Sequence, residues 1–82
     1  MPQRLRRLSA RGVLKALGSF GFEVVSSRGS HAKLRRVSKD GARQILTVPL
    51  HKELDVGTIQ AIYRQACRFV PEEELKAHFY TD

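Results

Sequence analysis

The fold is decided by a stretch that reads FEVVSSRGSHAKLRRVSKDGARQILTVP over residues 22–49. Its apolar residues recur at alternate positions, a period typical of β-strands. Turn residues interrupt the pattern at Arg28-Gly29-Ser30 and again at Ser38-Lys39-Asp40-Gly41, where the Asp-Gly pair is typical of a hairpin. Pro49 ends the third run, because it has no N–H for a sheet hydrogen bond. The stretch predicts three consecutive antiparallel strands.

The alternation also predicts which side chains face the core. In the second strand Ala32 and Leu34 share one face. If that face is buried, His31, Lys33 and Arg35 point into solvent on the other. In the first strand the same rule separates two sets, Phe22, Val24 and Ser26 from Glu23, Val25 and Ser27.

A helix is predicted on each side of the strands. Ser9 is a suitable N-cap for a first helix from about residue 10 to 20, which Gly21 can close. Asp55 is a suitable N-cap for the second helix. The apolar stripe of that helix consists of Ile59, Ile62, Tyr63, Ala66 and Val70. A short third helix is predicted from 72 to about 79.

The order helix, three strands, helix predicts an α+β fold in which both long helices cover one face of the sheet. The 82 residues and 9.3 kDa indicate a single domain over 1–82, with its core at about 9–70 and a helical appendix at 71–82. A domain of this size has little interior for a deep cofactor pocket. A functional site is therefore expected in a surface groove.

Charge is distributed unevenly along the chain. The formal net charge is +7, yet residues 1–52 carry 12 basic and 2 acidic side chains, whereas residues 53–82 carry 3 basic and 6 acidic. Clustered cations and a pI near 10.3 favour a phosphate-rich partner such as nucleic acid. The alternative is a charged surface that keeps the chain soluble.

Several function classes are excluded by what the sequence lacks. The single Cys67 cannot form an intramolecular disulfide, and no His/Cys spacing typical of a metal site occurs. No Gly-rich nucleotide-binding loop is present, so neither a metal nor a small-molecule cofactor is predicted. No apolar run suits a signal peptide or a membrane span, which leads us to expect a cytoplasmic protein without a membrane partner.

His31 is the candidate catalytic residue, because an imidazole takes up and releases protons near neutral pH. Cleavage of RNA by its own 2′-OH needs such proton transfer and a cationic environment for the phosphate, but no metal. The candidate RNA-binding residues supply cations, a close backbone approach or a hydroxyl: Arg28, Gly29, Ser30, Lys33, Arg35 and Lys52. His51 is a possible second titrating group if its loop folds over the sheet edge. For both histidines, a solvated structural residue is the alternative.

The chain resembles the HicA toxins, also called YcfA-like mRNA interferases, from about Ser9 to Ala66. The resemblance rests on motifs that follow in the family's order and spacing: Val13-Leu14, Gly21-Phe22, Gly29-Ser30-His31, Thr47-Val48-Pro49, Lys52-Glu53-Leu54, Gly57-Thr58 and Arg64-Gln65-Ala66.

The resemblance implies a fold similar to the double-stranded-RNA-binding domain and the activity of a type II toxin. Such a toxin is a metal-independent endoribonuclease that cleaves mRNA and is inhibited by a HicB antitoxin. The family's catalytic histidine corresponds to His31. Two departures concern Ala32, where members often carry a polar residue or histidine, and Pro49-Leu50-His51, where many carry two histidines or a glycine after the proline.

The alternative function is a non-catalytic RNA-binding or protein-interaction module with a basic sheet face. Double-stranded-RNA binders grip phosphates with several lysines at the start of the second helix. Here that start reads Asp55-Val56-Gly57-Thr58, which is acidic and small. The sequence therefore gives this mode little support, and single-stranded RNA or mRNA is the expected substrate.

Overall fold

The computed structural model describes residues 3–81, which form the predicted α+β fold with a three-stranded antiparallel sheet. The elements in chain order are β1 (Arg4–Leu5), α1 (Ala10–Gly18), β2 (Glu23–Arg28), β3 (His31–Val37), β4 (Arg43–Pro49), α2 (Val56–Ala66), α3 (Glu72–Phe79) and β5 (Tyr80–Thr81). Within residues 3–81, no helix has the length and apolar character needed to cross a membrane.

The central strand β3 pairs with β2 on one side and β4 on the other. Its alternation is confirmed, since Ala32 and Leu34 are each 1% exposed, whereas His31, Lys33 and Arg35 are exposed. The inner face of the sheet packs against α1 and α2, chiefly along β4. The opposite face, which we call the outer face, is left open.

Both predicted N-caps are confirmed. The Ser9 hydroxyl accepts a hydrogen bond from the backbone N–H of Gly12 at 3.1 Å. The Asp55 carboxylate accepts one from the N–H of Thr58 at 2.7 Å. Each cap satisfies a backbone donor that has no partner within its helix, and so fixes where the helix begins.

Gly21 closes the first helix as predicted, although α1 itself ends at Gly18 rather than near residue 20. Gly21 has φ +94°, in the left-handed region that favours glycine. The following N–H, of Phe22, reaches back to the carbonyl of Leu17 at 3.2 Å. These features form a Schellman motif, which turns the chain from the helix into β2.

The predicted alternation in β2 is wrong beyond Val24. Val24 lies opposite Leu34 on the inner face, but the register shifts before Ser26, which lies opposite Lys33 on the outer face. Val25 is therefore the extra residue of a β-bulge, and such an insertion reverses the phase of every side chain that follows it.

The C-terminal segment packs against the body of the domain. Leu75 and Phe79 of α3 are fully buried, and the Phe79 ring lies 5.4 Å from that of Tyr63 in α2. Beyond α3, the unpredicted strands β1 and β5 pair antiparallel, with Arg4 opposite Thr81. The two ends of the described chain are therefore held together.

Arg36 lies half-buried at the edge of the inner face and joins the sheet to the ends of both long helices. Its guanidinium donates to the carbonyls of Phe20 and Phe69 at 3.1 and 2.8 Å, and to the side chain of Gln44 at 2.7 Å. The same group lies 5.1 Å from the centre of the Phe22 ring. Carbonyls at helix C-termini carry partial negative charge, so they suit a cation that is half-removed from water.

Candidate nucleic-acid interface

His31 is the first residue of the central strand and follows the tight turn at Gly29-Ser30. Arg28 lies opposite it in β2, and Pro49 lies opposite it in β4. Gly29 adopts φ +54°, a conformation that most side chains disfavour. The turn and the two neighbouring strands thus place an exposed imidazole at one end of the outer face.

A groove of about 400 Å³ opens around this histidine, and we call it the His31 groove. It is lined by Ser26, Arg28, His31, Ala32, Lys33 and Thr47. Three of the residues singled out from the sequence, Arg28, His31 and Lys33, therefore share one site. An imidazole between two cations can transfer protons while those cations hold a phosphate.

Two hydroxyls of the His31 groove were not found by sequence reasoning. Ser26 and Thr47 flank Lys33 from the two neighbouring strands. Thr47 could have been found by counting back from Pro49 in steps of two along β4. Ser26 could not, because the bulge at Val25 moves it to the outer face.

Ser30 connects the turn to both the histidine and the end of β4. Its hydroxyl oxygen lies 3.5 Å from Nδ1 of His31, where the tautomer decides which group donates. Its carbonyl accepts a hydrogen bond from the N–H of Leu50. At Gly29, open space surrounds the position where a Cβ would be, so the backbone there is accessible to a ligand.

Two other candidate residues lie outside the His31 groove. Arg35 is on the same outer face, between Glu23 and Ile45, further along β3. Lys52 lines separate cavities beside the start of α1, together with Ser9. Of the six predicted RNA-binding residues, Arg28 and Lys33 therefore line the His31 groove, Gly29 and Ser30 form the turn beside it, and Arg35 and Lys52 lie elsewhere.

His51 also lies away from the His31 groove. Its loop turns towards α1, where the carbonyl of His51 accepts a hydrogen bond from the N–H of Ala10 at 3.2 Å. His51 therefore lines a cavity with Arg11 and Lys52. The nearby carboxyl of Asp55 has its pKa lowered, first by hydrogen bonds from Thr58 and to a smaller extent by the positive charge that His51 can carry.

A family model described as the HicA toxin of bacterial toxin–antitoxin systems matches residues 10–66. The chain belongs to the HicA toxin family. No curated protein matches the chain significantly. The HicA match runs from the start of α1 to the end of α2, so it contains the whole His31 groove.

Membership of the HicA family confirms the resemblance identified from the sequence motifs. The family consists of toxins of toxin–antitoxin systems, and this implies an antitoxin partner. The segments that form β1, α3 and β5 lie outside the matched residues.

Proposed function

We propose that this HicA toxin is a cytoplasmic, metal-independent endoribonuclease that cleaves single-stranded mRNA and is inhibited by a HicB-type antitoxin. His31 is the general acid–base of the reaction. The observation that carries the proposal is that the exposed His31 shares one groove with Arg28 and Lys33. General acid–base catalysis requires a group that exchanges protons at neutral pH and that the reacting atoms can reach.

The cleavage needs no cofactor, because the substrate supplies its own nucleophile. His31 removes the proton of a ribose 2′-OH, and the 2′ oxygen attacks the adjacent phosphorus. The bond from phosphorus to the 5′ oxygen breaks, and that oxygen receives the proton that His31 took up, directly or through a water molecule. The products are a 2′,3′-cyclic phosphate and a new 5′-OH, so the atoms and charges balance.

Arg28 and Lys33 stabilise the negative charge that develops on the phosphate during this attack. Cationic donors that are already in position contribute most where charge increases in the transition state. The Ser30 hydroxyl lies 3.5 Å from Nδ1 of His31, and we expect the other ring nitrogen, Nε2, to exchange the proton with RNA. Lys33, Ser26 and Thr47 line the same groove, and we expect them to contact the same phosphate or its ribose.

The outer face also supports a protein partner for this toxin. Val37 is 59% exposed and Ile45 38% exposed, next to cations of the same face. Exposed apolar side chains within a charged surface are typical of interaction sites. A HicB-type antitoxin that covers this face would block access to His31.

The decisive experiment incubates the purified protein with single-stranded RNA in EDTA. We expect cleavage by the parent protein, products with 2′,3′-cyclic or 3′-phosphate ends, and a loss of at least about 100-fold in rate for His31→Ala. His78→Gln, a histidine replacement in α3, is the matched control and should cleave at the parental rate. Circular dichroism checks that both variants are folded.

Intact RNA with the parent protein would contradict the proposal, as would equal cleavage by His31→Ala. RNA that is bound but stays intact would favour the alternative, a non-catalytic RNA-binding module on the same basic face. Antitoxin inhibition has its own test. Adding a purified HicB-type protein should stop cleavage in proportion to the fraction of toxin that it binds.

A further inference from the structure

A second basic groove lies beside the loop that follows β4. It consists of two adjoining cavities, of about 530 and 480 Å³, which share Ser9 and Lys52 as lining residues. Its cationic lining residues are Arg7, Arg11 and Lys52, and His51 also lines it. Glu53 is the acidic residue of the lining. We call this surface the Arg7–Arg11 groove.

A short piece of chain at the end of β4 connects the Arg7–Arg11 groove to the His31 groove. Pro49 pairs with His31 across the sheet, and the two residues that follow it, Leu50 and His51, line the second groove. Two residues of extended backbone span at most about 7 Å. The residues that border the two grooves are therefore only a few ångströms apart at the end of β4.

The walls of the second groove are held in place by backbone hydrogen bonds. The carbonyl of His51 accepts from the N–H of Ala10, and the N–H of Leu54 donates to the carbonyl of Leu8 at 3.4 Å. The N–H of Ala10 is thus occupied by the loop, and the N–H of Gly12 by the Ser9 hydroxyl. The contacts available to a ligand come from the exposed side chains.

We propose that the Arg7–Arg11 groove binds the phosphate backbone of single-stranded RNA on one side of the cleaved bond. The inference rests on the proposed function and adds Arg7 and Arg11 to the RNA-binding residues. Exposed cations that follow the path of a strand are the main source of affinity for single-stranded nucleic acid. Half-buried Leu14 and Leu50 provide an apolar floor on which a ribose or base can rest.

The test measures how affinity depends on RNA length and on salt. The probes are oligoribonucleotides of about 4 and about 12 nucleotides in which 2′-fluoro groups replace the attacking hydroxyls. The double variant Arg7→Gln/Arg11→Gln should bind the longer probe roughly tenfold more weakly than the parent, with a much smaller loss for the shorter one. The slope of log affinity against log salt should be flatter by about 1.4, since each lost phosphate contact contributes about 0.7 for a single strand.

The matched control is Lys39→Gln/Arg64→Gln, which removes the same charge. Lys39 lies in the β3–β4 hairpin, at the far end of the sheet from His31, and Arg64 is exposed on α2. This variant should retain the parental affinity for both probes. Thermal unfolding checks that both double variants are folded.

If the two double variants lose equal affinity for the longer probe, the inference is overturned. It is also overturned if Arg7→Gln/Arg11→Gln keeps its RNA affinity but loses binding to the antitoxin, which would assign the groove to a protein partner. In both cases a parent protein that cleaves RNA leaves the proposed function intact. A parent that neither binds nor cleaves RNA overturns the proposed function together with the inference.

Discussion

Nη2 of Arg36 donates a hydrogen bond of 2.8 Å to the backbone carbonyl of Phe69, and so connects the central strand of the sheet to the turn that follows α2. Arg36→Met removes this bond and the one to Phe20, and leaves two carbonyls without their partner. We expect the free energy of unfolding to fall by about 2 kcal/mol. The free energy of unfolding of Arg36→Lys should lie between those of the parent and of Arg36→Met, because an ammonium cannot reproduce the planar fork of the guanidinium.

Urea denaturation followed by circular dichroism measures this effect. The matched control is Arg35→Met at the preceding position, where the side chain is exposed on the outer face. Its stability should change by no more than about 0.5 kcal/mol. Equal losses for the two variants would show that the contacts of Arg36 contribute little.

Gly29 and Gly18 should respond in opposite directions to the same substitution. Gly29 has φ +54° and open space around the position of a Cβ, so Gly29→Ala costs about 1 kcal/mol through backbone strain alone. The melting temperature should fall by about 5 °C, and by less for Gly29→Asn. Gly18 lies in α1 with nothing within 4 Å of its Cβ position, so Gly18→Ala should raise the melting temperature. A fall for Gly18→Ala would contradict this prediction.

The cap of α2 makes stability depend on pH. Hydrogen bonds from Thr58 lower the pKa of Asp55, so the carboxylate is favoured in the folded chain. This contribution is complete above the ordinary carboxyl pKa of about 4 and is lost as the pH falls through the lowered value. Asp55→Asn, which caps without charge, should remove this part of the pH dependence.

Unfolding free energies at neutral and acidic pH test that prediction. The advantage of the parent over Asp55→Asn should be largest at neutral pH and shrink on acidification. Glu53→Gln removes an equal charge two residues earlier without changing the cap, and it is the control. A difference in unfolding free energy between the parent and Asp55→Asn that grows on acidification would contradict the prediction.

The thiol of Cys67 should react slowly in the folded protein. Burial raises its pKa, and the negative charge of Glu72 acts in the same direction. Because the thiolate is the reactive form, modification by a disulfide reagent at about pH 8 should be slower in the folded chain than in urea. Glu72→Gln should increase the rate of the folded protein. Equal rates with and without urea would contradict the raised pKa.

RNA binding through the outer face should depend on salt and on Arg35. Affinity should fall as salt is added, because phosphate contacts release counterions. Arg35→Glu should weaken RNA binding further and leave the helical circular dichroism signal unchanged, since the side chain is exposed. Affinity that does not vary with salt would argue against the basic face. Loss of the helical signal would instead assign Arg35 a structural role.

The parts of the fold that could be predicted from the sequence have local signals. Ser9, Gly21 and Asp55 each act on backbone groups a few residues away, so their roles follow from residue type and position. The bulge at Val25 could not be predicted, because two valines followed by two serines fit either phase of a strand. The pairing of β1 with β5 could not be predicted either. It joins Arg4 to Thr81, which are far apart in the sequence, and a two-residue strand is too short to show an alternating pattern.

The candidate site also has one part that could be predicted from the sequence and one part that could not. That His31 and Lys33 share a face follows from the alternation along one strand. The separation of Lys52 from His31 and Lys33 does not follow from the sequence, because the direction of its loop is set by the hydrogen bond from Ala10 to His51. Contacts of this kind depend on tertiary structure, for which the sequence of the loop contains no pattern.

The antiparallel pairing of Arg4 with Thr81 has a practical consequence for protein engineering. Because paired Cα atoms lie about 5 Å apart, a short flexible linker can join Arg4 to Thr81, and the chain can be opened in the hairpin at Lys39. A circularly permuted chain of this kind would retain both the His31 and the Arg7–Arg11 grooves. It would also allow a fluorescent reporter to be attached at the far end of the sheet, away from the His31 groove.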